Sequence, residues 1–191
     1  MRIRLAVSIL VLVCSGFGSA MAQTWRIGDD QPFPIHISDL PAARQKAILM
    51  AIDPSLQKRA KDYGYEPADV AAIRKSLLLR DLATPSGTLL LIQGWGSESC
   101  GAVGNCAVWV LGKNDRLLLE GGGNRIRILA ATHHGLPTIL ISDHMSAAQS
   151  GLTWYVFDSS KYRRVSCAIE TYSDINRTYS LPLIERGPCE K

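Results

Sequence analysis

Apolar residues fall into two textures that meet near Arg80. On the N-terminal side, Leu40, Ala43, Ala47, Ile48 and Ala51 or Ile52 recur at the spacing of one helix face. Ser38 or Asp39 suits the N-cap of that helix, and Pro41 is tolerated in its first turn. Asp53-Pro54 is expected to end it, because an interior proline has no N–H to give the preceding turn. A second short helix then runs to Tyr63-Gly64. Glu66-Pro67 opens a third, with Val70, Ile73, Leu77 and at its limit Leu78 on the inner face.

Past Leu77 the pattern is that of strands. Leu77–Leu82 is a candidate strand, and Ala83–Gly87 carries turn chemistry. Thr88–Gln93 is a continuous apolar run of the kind that buried strands show. Ala107–Leu111 and Arg116–Glu120 form a hairpin over Gly112–Asp115, and Gly121–Gly123 reads as a flexible turn. Arg125–Ala131 alternates charged and apolar residues; Thr138–Ser142, Leu152–Phe157 and Tyr162–Cys167 complete the set. The expected fold is α+β: two or three N-terminal helices packed on an antiparallel β-meander sheet of about six to eight strands.

A weak repeat runs through the second half. Leu90–Gly94 is echoed by Ile139–Asp143, and Val108–Lys113 by Trp154–Ser159, roughly 50 residues on. Each unit reads strand, long polar loop, strand, short turn, strand. The two long loops, Gly94–Cys106 and Asp143–Gly151, should therefore emerge at one edge if the units pack side by side.

The first residues set the compartment. Arg2 and Arg4, the apolar run Leu5–Val13 and the small-x-small site Ala20-Met21-Ala22 form a secretory signal peptide over 1–22. Val13 precedes Cys14 where a lipidation site takes Gly, Ala or Ser, so no lipid anchor is expected. Beyond the signal, 23–37 reads as an extended arm holding Pro32 and Pro34. One domain follows over 38–191: a helical part at 38–76, a β part at 77–168 and a tail at 169–191. No later run is long and apolar enough to be a membrane span. The formal net charge is +4, two units of which sit in the signal, and no basic block stands out, so nucleic acid is not an expected partner.

Export gives the cysteines their meaning. Cys100, Cys106, Cys167 and Cys189 follow the signal, and an even count in an exported chain implies two disulfides. Three pairings are possible. Proximity along the chain favours Cys100–Cys106 and Cys167–Cys189, the latter pinning the tail.

The candidate contact surface is the edge carrying both long loops. Its residues are Trp95, Cys100, Gly101, Gly104, Asn105, Cys106, Asp143 and His144. Gly101 and Gly104 permit positive φ, and Asn105 can bond its own backbone in a turn. Trp109 and Phe157 read as core, and Trp95 as exposed.

Thr88–Arg163 resembles a group of uncharacterised bacterial exported proteins. The shared features are a Cys-Gly-x-x-Gly-Asn-Cys loop (Cys100–Cys106), a Trp-bearing strand (Trp109), His134-Gly135, and a Tyr-x-Phe-Asp hairpin (Tyr155–Asp158). The strand–loop–strand units also resemble FG-GAP-type β blades. The calcium loop of such blades is replaced here by Arg80–Gly87, in which Asp81 is the single carboxylate. The resemblance implies an exported β protein and transfers no activity.

Chemistry is sparse. His133 and His134 adjoin in sequence, so on a strand they point to opposite faces, and no zinc-type spacing joins them to His144. Ser97, Ser99 and Ser146 lie outside any Gly-x-Ser-x-Gly. No catalytic residue, metal ligand or cofactor is assigned. The expected function is a non-catalytic binding module of the periplasm or cell exterior, its partner a protein or cell-envelope component. An inhibitor or immunity protein for a cell-wall enzyme is the narrower version. The alternatives are a small hydrolase using His134 or His144 with Asp143, and a structural envelope component.

Overall fold

The computed structural model describes residues 25–27, 33–171 and 189. The expected signal peptide and most of the tail lie outside the described residues. The fold is α+β, with N-terminal helices packed against antiparallel sheets. Among the described residues, ten strands form two five-stranded sheets. Their bounds are β1 (Trp25–Ile27), β2 (Ile35–His36), β3 (Leu78–Thr84), β4 (Gly87–Gln93), β5 (Cys106–Leu111), β6 (Leu117–Gly123), β7 (Arg125–His133), β8 (Leu136–Ser146), β9 (Gln149–Phe157) and β10 (Tyr162–Thr171). One sheet runs in the order β2-β3-β4-β5-β6, the other β1-β7-β8-β9-β10. The strands expected in a single meander thus divide between two sheets, and the arm supplies one short edge strand to each.

The layers follow from which strands are apolar on both faces. All six residues of β5 are buried. Ala107, Trp109 and Leu111 pack with Ile48, Ile52 and Leu56 of the first helix, α1 (Ala42–Tyr63), and with Val70 and Ile73 of the second, α2 (Pro67–Lys75). Val108 and Val110 face the other way, onto Ile126, Ile139 and Ile141 of the opposing sheet. The order is helices, sheet, sheet, and the middle sheet is wrapped by both neighbours. The repeat units therefore face one another across a core instead of lying side by side.

Several local expectations change. α1 runs unbroken through Pro54. An interior proline costs ~3 kcal/mol. Ile48, Ile52 and Leu56 are almost fully buried on both sides of it, and each such side chain is worth ~1.5–3 kcal/mol. Packing outweighs the lost bond, and an Arg74–Asp53 ion pair ties α2 to the same turn. Ser38 and Asp39 belong to a 3-10 turn, Ile37–Asp39, and Pro41 itself occupies the N-cap of α1. α2 begins at Pro67 as expected, with Asp69 accepting from the Glu66 N–H at 2.9 Å.

Gly121–Gly123 is strand, not turn: these residues pair with Val108, Ala107 and Cys106. Their role is close approach. A Cβ on Gly123 would fall 2.3 Å from the Ser142 carbonyl oxygen of the opposite sheet, and one on Gly121 would fall 3.1 Å from Ile141. The next residue, Asn124, donates its N–H to that Ser142 oxygen at 2.8 Å, making the corner where one sheet becomes the other.

One polar contact is sealed in the helix–sheet core. The indole N–H of Trp109, itself fully buried, donates to Ser55 Oγ at 2.6 Å. Ser55→Ala should leave that donor unsatisfied and cost about 1–3 kcal/mol in urea unfolding. A change near zero would show that the bond contributes little to stability.

Candidate functional site

The loop between β4 and β5 is built in three steps. The Gly94 N–H donates to the Ala107 carbonyl at 2.8 Å, closing its base. A four-residue helix, α3 (Ser97–Cys100), follows. Ser99 lies so tightly on Gly94 that a Cβ there would overlap its Oγ. Gly101 and Gly104 then take φ of 64° and 74°, and a Cys100–Cys106 disulfide closes the segment. The second disulfide joins Cys167 of β10 to Cys189. These are the two pairings that proximity favours, and they suit an oxidising compartment.

Asn105 does not turn back on its own backbone. Its side chain crosses to β8: Nδ2 donates to the His144 carbonyl at 2.9 Å, and Oδ1 accepts from the His144 N–H at 2.6 Å. A side-chain amide has the same donor–acceptor pair as a peptide. Asn105 therefore extends β8 sideways as one more strand residue would, and it clasps the disulfide loop to the opposite sheet.

Asp143–Gly151, expected as a loop, is mostly hairpin. β8 and β9 pair on through Asp143 with Gly151, His144 with Ser150 and Ser146 with Gln149, across a bulge. Short polar residues hid this pairing in the sequence. The Asp143 carboxylate lies over Gly151, where a Cβ would meet Oδ1 at 2.3 Å. Nearby, burial raises the pKa of Tyr155; Arg164 opposes that and Asp143 adds to it.

This end of the sandwich concentrates exposed apolar surface. Seven large apolar side chains are exposed among the described residues, and Trp95, Val103 and Met145 are three of them. A fourth, Ile169, pairs with Gly151 and so sits in the cross-strand row of Asp143. Trp95 is 61% exposed, as expected, while Trp109 and Phe157 are core. The sequence reading missed Val103, Met145 and Ile169. For Val103 the signal was present: an apolar side chain between two loop glycines has no core to enter.

The structure does not gather the histidines. His134 and Gly135, at φ of 48° and 81°, form the two-residue turn between β7 and β8. His144 lies near the other end of β8, about 26 Å from Leu136 at ~3.3 Å per residue. His134 is therefore not brought to Asp143. His144 adjoins Asp143 on the strand but points to the opposite face. Among the described residues, no group of three His, Cys, Asp or Glu is placed to hold a metal ion. No helix among them is long and apolar enough to cross a membrane.

Comparison with profiles of known protein families, with curated proteins and with solved structures finds no match.

Asn105→Ala removes both bonds of the clasp. Hydrogen exchange at the His144 amide should accelerate roughly fivefold, since a net bond is worth about 1 kcal/mol. The cores on both faces of β5 should keep their protection. Unchanged exchange at His144 would mean the loop is held by other contacts.

Proposed function

We propose that this chain is an exported, non-catalytic binding module of the periplasm or cell exterior. Its contact edge combines Trp95, the Cys100–Cys106 loop and the Asp143–Gly151 hairpin. The observation that carries this reading is the Asn105–His144 clasp. It joins two segments from opposite sheets into one surface with Trp95, Val103 and Met145 exposed on it. Aromatic and apolar anchors on a preorganised surface suit a protein partner: little entropy is lost on binding, and a few anchors carry most of the affinity. The partner class is a protein or proteinaceous envelope component. An inhibitor or immunity protein for a cell-wall enzyme is the narrower form of the same reading.

A photo-crosslinking residue placed at Val103 or Met145 should capture the same species from a periplasmic extract. The same probe at Met50, more exposed than either but on α1, should not. Trp95→Ala should weaken capture at least tenfold, the effect of losing an anchor worth about 1.4 kcal/mol or more. Equal capture from Met50, or no loss with Trp95→Ala, would overturn the proposal.

A further inference from the structure

The two sheets part at the end away from the disulfide loop. A cavity of ≈ 550 Å³ opens there between the β3–β4, β5–β6 and β7–β8 turns. This volume is within the range of small-molecule sites. Its floor is the inter-sheet core itself: Leu89, Leu118, Leu136 and Phe157, each no more than 7% exposed. Among the described residues its rim carries three ionisable side chains, Lys113, Arg116 and His134, and no carboxylate.

The carboxylates nearest in sequence are already engaged. Asp115, between Asn114 and Arg116, is held by Arg44 of α1 at 2.5 and 2.6 Å. Asp158, next to Phe157, accepts from Arg163 at 2.6 Å and from the Ser160 and Lys161 N–H groups at 2.9 and 2.8 Å. Neither is available to neutralise Lys113 or Arg116. The mouth is also shaped by fixed backbone. Ser86 Oγ donates to the Gly135 carbonyl at 2.8 Å, so the tips of two hairpins from different sheets are joined on one side of it.

We propose that this cavity binds a free, single-chain amphiphilic anion, with the apolar body between the sheets and the acidic head at Lys113 and Arg116. Both halves of the ligand have a counterpart. Apolar surface contributes affinity without direction, and a cationic rim without competing carboxylates selects the charge of the head. The site is separate from the partner-binding edge, at the other end of β4, β5 and β8.

Decanoate, decanol and inorganic phosphate titrated into the full-length exported protein by calorimetry separate the two contributions. Decanoate should bind saturably and at least tenfold more tightly than decanol, and phosphate should not bind measurably. Lys113→Ala with Arg116→Ala should remove the preference for decanoate while leaving decanol within twofold. Thr88→Trp, filling the mouth, should weaken both ligands. Lys61→Ala with Lys75→Ala, which removes the same charge from the helical surface, should change neither. Equal affinity for decanoate and decanol would overturn the proposal, as would an equal loss in the Lys61/Lys75 variant or no saturable decanoate binding. Sedimentation with phosphatidylglycerol vesicles that depends on Lys113 and Arg116 would overturn it in favour of a membrane headgroup.

Discussion

The architecture depends on one strand being dry on both faces. β5 has no solvent side: Trp109 and its alternates feed the helix–sheet core, and Val108 and Val110 feed the sheet–sheet core. A strand in that position can present polar or exposed groups only at its two ends. Cys106 begins it beside the disulfide loop, and Gly112–Arg116 follows it at the rim of the cavity. Both candidate sites are thus the consequences of a middle layer with no free face. Everything between them is committed to packing.

Much of this was legible in the residues, for identifiable reasons. The continuous apolar run at Thr88–Gln93 gave a buried strand, and Trp109 read as core, but that β5 is buried on both faces is visible only in the structure. Glu66-Pro67 and Asp69 gave the start of α2 through local chemistry that needs no tertiary context. The candidate edge was found by analogy between two loops, and the clasp brings those segments together. The misread features depend on partners distant in sequence. Pro54 breaks a helix in isolation, but here Ile48, Ile52 and Leu56 are buried around it. Gly121–Gly123 looks flexible until Ser142 and Ile141 of the other sheet are placed against it. Val103 and Met145 lacked periodicity, which is the signal by which apolar residues are usually read.

The division into two sheets was not legible, because a run of antiparallel hairpins has the same local pattern in one sheet or two. What distinguishes the cases is the connection at Asn124, where the β6–β7 corner redirects the chain. The absence of side chains at Gly121 and Gly123 lets the sheets lie close enough for that corner to form. The information was in the glycines, but its meaning was steric and required the opposing strand.

The two restraints on the disulfide loop do different work. A disulfide closing so short a loop stabilises the fold by on the order of 2 kcal/mol, mainly through the unfolded chain. That restraint is internal: it shapes the loop without saying where the loop points. The two Asn105 amide bonds together are worth a similar amount, about 1 kcal/mol each, but they tie the loop to His144 on the other sheet. Recognition depends on relative position, because each side chain that must be ordered on binding costs ~0.5–1.5 kcal/mol. A loop shaped by its disulfide but not clasped would carry Val103 on a mobile arm, and the cost of ordering it would fall on the complex. The clasp moves that cost to folding, where the cores on both faces of β5 offset it.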